Sequence, residues 1–181
     1  MTTASKITMI RVAMIPLFVV TMLWQFRGHI IVSLVIFALA SMTDSVDGYI
    51  ARKYNQVSDF GKFIDPLADK LLVTAAILIF VEWGQMPSWA AMLIITREFA
   101  VTGLRLIAVE GGKVIAAGWS GKIKTASSIV AICLMLTPIK DLMLLPFLSV
   151  NSLCVAVMVI TTLYSGVEYF VDNWSALALG K

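Results

Sequence analysis

Charged residues are scarce in this 181-residue sequence: only 14% are charged, whereas 60% are hydrophobic. Soluble domains carry about 25% charged residues, and a soluble fold of this length could not bury so much apolar surface. The net charge of +3 comes from dispersed lysines and arginines. No basic cluster of the kind that binds nucleic acid is present, so no nucleic-acid partner is expected. The composition predicts a membrane protein.

Cysteine and histidine are also rare, with two cysteines and one histidine in the whole chain. Cys133 and Cys154 lie in apolar runs and lack the C-x2-C spacing of many zinc and redox sites. We therefore expect two buried free thiols rather than a disulfide or a zinc site.

Few uncharged runs are long enough to cross a membrane. Only the run at residues 142–167 exceeds the roughly 20 residues that a bilayer core requires. The other runs reach that length only by including charged residues at one end. This predicts that charged side chains lie inside the protein at a definite depth in the membrane. Residues 1–24 resemble a signal peptide, but no small-residue cleavage site follows promptly, so we expect a retained first span.

Lipid admits only helices and closed barrels as spanning structures, and these runs lack the alternation of barrel strands. We therefore predict a single membrane domain, residues 1–181, with an all-α integral membrane fold of six transmembrane helices in one bundle. The predicted helices cover residues 7–26, 29–51, 61–81, 89–109, 122–139 and 145–171.

Six spans place both termini on the same side of the membrane. Eleven lysines and arginines then fall on that side, and two, Arg27 and Lys140, fall on the other. Such a bias is typical of the cytoplasmic face. We therefore expect both termini in the cytoplasm.

Two pairs of aspartates stand at the cytoplasmic ends of the second and third predicted helices. Asp44 and Asp47 are three residues apart, and Asp65 and Asp69 are four apart, so each pair projects from one helical face. The short connection between these helices would bring the two pairs opposite each other. Four converging carboxylates repel one another unless cations bind between them. Oxygen ligands alone favour Mg²⁺, with Mn²⁺ as a substitute, and two such ions suit displacement at phosphorus.

Small residues and one arginine accompany the aspartates. Gly48 and Ala51 leave room for a nucleotide or phosphate to approach the helix, and Arg52 can bind phosphate oxygens bidentately. A simpler interpretation is that the aspartates only cap helix ends. The regular spacing of four aspartates, with Gly48, Arg52 and Gly61 between them, favours a binding site.

The pattern D-x2-D-G-x2-A-R-x8-G-x3-D-x3-D resembles the signature of the CDP-alcohol phosphotransferase family. The resemblance implies a six-span homodimeric enzyme that transfers a group from a CDP-linked donor to an alcohol and releases CMP. It also implies that the aspartates hold two metal ions and that Asp69 is the general base toward the attacking hydroxyl. The implied metal ligands are Asp44, Asp47, Asp65 and Asp69, and the implied CDP contacts are Gly48, Ala51, Arg52 and Gly61.

The second half of the chain bears on the acceptor. Residues 96–99, 102–105 and 120–125 are similar to stretches of the bacterial subgroup of this family whose acceptor is sn-glycerol 3-phosphate. In the N-terminal segment that subgroup usually has Pro-Asn before a threonine; here Thr8 lacks them, and we retain it as an expected nucleotide contact.

An acceptor with its own phosphate needs nearby cations. Glu98 and Arg105 are seven residues apart on one helical face, and two lysines begin the next predicted span. The alternative is that Arg97 and Glu98 neutralise each other and that the lysines only set topology. We expect the acceptor phosphate to contact Arg105, Lys124, Arg97 and Lys122.

The resemblance therefore predicts transfer of a phosphatidyl group from CDP-diacylglycerol to glycerol 3-phosphate at the cytoplasmic side of a bacterial membrane. Phosphatidylglycerophosphate and CMP would be the products. A relative with another acceptor is an alternative, whether inositol phosphate, serine or phosphatidylglycerol. An intramembrane aromatic prenyltransferase and a divalent-cation carrier are more distant ones. A carrier would place its carboxylates near mid-membrane on broken helices.

Overall fold

The computed structural model describes residues 3–24, 26–54, 59–110, 118–145 and 148–173. Within these ranges the side chains of residues 3–8, 44–54, 59–69, 106, 109 and 110 are outside the description. Six helices make up most of the described chain, which confirms the predicted helix count. They are α1 (Thr3–Leu23), α2 (His29–Tyr54), α3 (Asp59–Glu82), α4 (Ser88–Glu110), α5 (Trp119–Met135) and α6 (Val150–Asp172).

The connection between α5 and α6 differs from the prediction. α5 ends at Met135 rather than at residue 139, because Thr137, which precedes a proline, is extended (φ −106°, ψ 159°). A 3₁₀ turn (Pro138–Asp141) and an antiparallel pair of strands follow, β1 (Met143–Leu145) and β2 (Leu148–Ser149).

The last helix accordingly begins at Val150 rather than at residue 145. Ser149 caps it, since the Ser149 Oγ accepts a hydrogen bond of 3.2 Å from the backbone N–H of Ser152. The expectation of an entirely helical fold was wrong for this short hairpin, and the fold is mostly helical.

The core lies between the helices and is mostly apolar. α1 packs against α2 and α3, whereas α6 packs against α4 and α5. Phe18 of α1 and Phe37 of α2 are fully buried, with ring centroids 5.7 Å apart. The outer surface is also apolar: large exposed hydrophobic side chains occur on every helix, including Ile31, Leu78, Met92, Val130 and Val167. An apolar exterior of this kind is suited to lipid rather than to water.

The helices differ in hydropathy and in the length of their apolar segments. Within the described residues, α6 is the one helix whose length and composition suffice to cross a membrane. Shorter apolar segments occupy Met9–Leu23 in α1 and His29–Thr43 in α2. That all six helices are spans stays a prediction.

The two cysteines are both free, as predicted. Cys154 is buried and Cys133 is partly buried.

Candidate active site

The four aspartates lie on two consecutive helices. Asp44 and Asp47 belong to the second half of α2, and Asp65 and Asp69 to the first half of α3. Their side chains are outside the described residues, so their convergence stays a prediction. Among the described side chains, no group of three or more His, Cys, Asp or Glu residues could hold a metal ion. The side chains of the predicted CDP contacts also lie outside the description: Thr8, Gly48, Ala51, Arg52 and Gly61.

A cavity of about 400 Å³ adjoins the aspartate segments. Ala40 and Ser41 line it from α2, and Ser41 precedes Asp44 by three residues, about one helical turn. Lys70, which directly follows Asp69 in α3, lines it from a second helix. The helices that carry the aspartates thus also form part of the cavity wall.

The charge of the cavity wall is predominantly positive. Among the described residues that line it, five are cationic and one, Glu98, is acidic. A partly enclosed cavity lined by charges of one sign concentrates the field and attracts a ligand of opposite charge. The cavity is therefore suited to an anion such as a phosphate. Its cationic side chains are Arg11 of α1, Lys70 of α3, Arg97 and Arg105 of α4, and Lys122 of α5.

Glu98 joins two of the predicted acceptor ligands. Its Oε1 accepts hydrogen bonds of 2.8 Å from both Arg97 Nη1 and Lys124 Nζ. All three side chains are largely buried, with exposed fractions of 13% for Arg97, 21% for Glu98 and 3% for Lys124. Buried charges at this spacing require each other, because each would be costly to desolvate alone.

Lys124 occupies a different position from the other three predicted acceptor ligands. Arg97, Arg105 and Lys122 line the 400 Å³ cavity, whereas Lys124 lines a smaller adjoining pocket that shares Glu98 and Lys70 with it. Lys124 thus connects to the cavity through the Glu98 carboxylate. The alternative in which Arg97 and Glu98 neutralise each other describes part of this arrangement, since Arg97 both pairs with Glu98 and lines the cavity.

Aromatic side chains contact the other two predicted acceptor ligands, Arg105 and Lys122. Arg105 Nε donates a hydrogen bond of 3.2 Å to the hydroxyl of Tyr169, and the guanidinium carbon lies 5.4 Å from the centre of that ring. Tyr169 is buried in α6 and lines the cavity as well. Lys122 Nζ lies 4.8 Å from the ring centre of Trp119, an exposed residue one turn earlier in α5. The side chain of Arg105 is therefore positioned by a residue of α6, and that of Lys122 by a residue of its own helix, α5.

Sequence reasoning gave no site role to several residues of this wall, among them Arg11, Lys70 and Tyr169. Arg11 and Lys70 were interpreted only as topology signals, although the position of Lys70 beside Asp69 was an available clue. Tyr169 is uncharged and lies near the other end of the chain, and no local pattern connects it to Arg105.

Comparisons with known proteins agree with the sequence signature. Residues 1–167 match the family model for CDP-alcohol phosphatidyltransferase. A protein of Bacillus subtilis (strain 168) named CDP-diacylglycerol--glycerol-3-phosphate 3-phosphatidyltransferase is 46% identical over 96% of this chain and 95% of its own length. A Mycobacterium tuberculosis protein named "Probable phosphatidylglycerophosphate synthase" is 37% identical over 92% of this chain and 78% of its own length. A Salmonella paratyphi A protein with the same name as the Bacillus relative is 39% identical over 72% of this chain and 74% of its own length.

Proposed function

We propose that this chain, which belongs to the CDP-alcohol phosphatidyltransferase family, transfers the phosphatidyl group of CDP-diacylglycerol to sn-glycerol 3-phosphate. Phosphatidylglycerophosphate and CMP are the products. The observation that carries the proposal is the cavity lined by five cationic side chains and one carboxylate, whose wall includes Ser41, three residues before Asp44, and Lys70, which directly follows Asp69 in the chain. The names of the relatives support the same acceptor.

The acceptor's phosphate distinguishes it from other alcohols. Arg97, Arg105 and Lys122 line the cavity together, and each charge-assisted hydrogen bond to a phosphate contributes about 1.5–3 kcal/mol. Serine carries no phosphate and would offer these cations only a single carboxylate, which its own ammonium group offsets. Inositol phosphate would satisfy them, so the cavity favours phosphorylated acceptors as a class and the relatives favour glycerol 3-phosphate within that class.

The aspartate pattern is chemically suited to divalent metal. Its donor set is four carboxylates without cysteine or histidine, on two consecutive helices beside a cavity for anions, and hard cations prefer such oxygen donors. We propose that Asp44, Asp47, Asp65 and Asp69 hold two Mg²⁺ or Mn²⁺ ions. When bound, these ions would neutralise the charge of the pyrophosphate. CDP would contact Thr8, Gly48, Ala51, Arg52 and Gly61.

The protein's own groups then position the acceptor and accept its proton. The cations of the cavity bind the phosphate of glycerol 3-phosphate and hold its hydroxyl toward the aspartate segments of α2 and α3. The hydroxyl oxygen attacks the phosphorus of the phosphatidyl group, the bond from that phosphorus to the CMP oxygen breaks, and Asp69 accepts the hydroxyl proton. Holding both reactants in place removes much of the entropic barrier to their reaction.

Membership of this family indicates an integral membrane protein. We propose six spans, with both termini and the cavity at the cytoplasmic side of a bacterial membrane, and a homodimeric assembly. The cavity is lined in the first half of α1, α3 and α5 by Arg11, Lys70 and Lys122, and in the second half of α4 and α6 by Arg105 and Tyr169. This alternation supports an up-and-down bundle in which the lining residues share one side of the membrane.

The test is CMP release by purified protein in mixed micelles that contain CDP-diacylglycerol. Glycerol 3-phosphate should support release, whereas serine, inositol phosphate and phosphatidylglycerol should support far less. A chelator should stop release, and added Mg²⁺ or Mn²⁺ should restore it. Turnover that is fastest with another acceptor would reject the glycerol 3-phosphate assignment. Mn²⁺ uptake by vesicles without any CMP release would favour a carrier.

The base role of Asp69 has its own test. Asp69→Asn should fold and bind donor but release CMP at least about 100-fold more slowly, the usual contribution of a general base. Asp141→Asn is the matched control, because Asp141 is largely exposed in the 3₁₀ turn and does not line the cavity. Near-normal turnover by Asp69→Asn would remove Asp69 from the base role.

A further inference from the structure

α6 meets α4 closely at Gly166. A Cβ atom placed on this buried glycine would lie 3.3 Å from Cγ of Arg97 and 4.0 Å from its Nε. A contact of 3.3 Å is tighter than nine in ten Cβ contacts in proteins, so the arginine would have to move by a few tenths of an ångström. At the other glycines whose surroundings the structure describes, a Cβ would meet nothing nearer than 3.7 Å. Among the described glycines, Gly166 is therefore the one whose missing side chain leaves space that a neighbouring residue, Arg97, needs.

Arg97 crosses from an apolar surface to the polar cavity. Together with Gly166, Thr162 and Val167 it lines an apolar groove between α4 and α6, and it also lines the 400 Å³ cavity. The stem of a long arginine side chain can pack on apolar surface while its guanidinium remains in a polar site. A displacement of the stem beside Gly166 would therefore also displace the guanidinium.

The guanidinium retains unused hydrogen-bonding capacity. Arg97 Nη1 donates to Glu98 Oε1, but Nε is buried and has no hydrogen-bond partner among the described residues. A buried donor without an acceptor is unfavourable unless a ligand supplies the acceptor. A phosphate oxygen in the cavity would satisfy it, and arginine binds phosphate through paired N–H donors.

We propose that Gly166 is a positioning residue for acceptor binding: by lacking a side chain, it holds Arg97 where Nε and the guanidinium can bind the acceptor's phosphate. This inference rests on the proposed function, because it concerns the same cavity. It adds a residue of α6 that touches neither reactant and acts through Arg97.

The substitution Gly166→Ala tests the inference by displacing the arginine stem by a few tenths of an ångström. Because paired hydrogen bonds to phosphate depend strongly on geometry, we expect KM for glycerol 3-phosphate to rise on the order of tenfold. KM for CDP-diacylglycerol should stay within twofold of wild type. The matched control is Gly103→Ala in α4, where an added Cβ meets nothing within 4 Å. It introduces the same methyl group into a helix and should leave both KM values unchanged.

A double-mutant cycle separates positioning from packing. If alanine at position 166 acts through Arg97, Gly166→Ala should have little further effect on KM in protein that already carries Arg97→Met. An equal further rise in the Arg97→Met background would show that alanine disturbs the packing of α4 on α6, and it would overturn the inference. An unchanged KM for glycerol 3-phosphate in Gly166→Ala alone would overturn it too.

A second variant keeps the inference testable if Gly166→Ala does not fold. Arg97→Lys retains the positive charge and the Cγ atom but removes Nε as a donor, so it should also raise KM for glycerol 3-phosphate. A wild-type KM in Arg97→Lys would overturn the role of Arg97. Wild-type protein that releases no CMP with glycerol 3-phosphate would reject the proposed function itself. Wild-type turnover with an unchanged KM in the variants would reject only the positioning inference.

Discussion

Replacing Glu98 by glutamine should destabilise the protein strongly, because this carboxylate holds two buried cations. Glu98→Gln keeps the size of the side chain and removes its charge. Oε1 of Glu98 accepts hydrogen bonds of 2.8 Å from Arg97 and from Lys124, and Lys124 is 3% exposed. The substitution leaves both cations without their shared anion and brings an amide N–H group beside one of them.

The size of the effect follows from burial. Breaking a buried ion pair by removing one partner costs about 3–5 kcal/mol. The pairs here are partly exposed on the Glu98 side, at 21%, and solvent screening reduces that figure to about 2–3 kcal/mol. For a chain of this length, such a loss lowers the melting temperature by roughly 5–10 °C.

The measurement is thermal unfolding in detergent, with Glu82→Gln as the control. Glu82 is exposed at the end of α3 and shares no described ion pair, so its variant should melt within about 2 °C of wild type, as is usual for surface substitutions. The double variant Glu98→Gln with Lys124→Met should recover part of the lost stability, because the more buried of the two cations that lose the Glu98 carboxylate is then absent. A Glu98→Gln protein that melts like wild type would refute the reasoning, since it would show that water already screens this triad.

Two further substitutions test contacts around the cavity and at the start of α6. Tyr169→Phe should raise KM for glycerol 3-phosphate by roughly three- to tenfold, because Arg105 loses a hydrogen bond of about 0.5–1.5 kcal/mol. The control is Tyr164→Phe, which alters an exposed tyrosine of the same helix and should leave KM unchanged. An equal change of KM in both variants would contradict the role of Tyr169. Ser149→Ala removes the cap that accepts from Ser152, so it should cost about 1 kcal/mol of stability with KM unchanged; an unaltered melting temperature would mean that the hairpin alone sets the start of α6.

Local sequence was sufficient for most of the helices and for the aspartate pattern. The hydropathy runs predicted six helices, and the spacing of Asp44, Asp47, Asp65 and Asp69 predicted their placement on two consecutive helices, because both features repeat within a few turns of one element. The same reasoning failed at the end of α5, which was predicted at residue 139 and lies at Met135, and at the start of α6, which was predicted at residue 145 and lies at Val150. Leucines continue through Leu142, Leu144 and Leu145, and a short apolar run does not distinguish a strand from the first turn of a helix.

The sequence by itself determined the family, the helices and the residue types of the candidate site, since each depends on neighbours close along the chain. Only the tertiary structure decided which cations share one cavity. It placed Arg11 and Tyr169, from opposite ends of the chain, in the same wall, joined Lys124 to Arg97 through Glu98, and brought Gly166 against the Arg97 stem. These contacts join residues of different helices, and the packing of helices depends on side-chain shape across them, which no local pattern records.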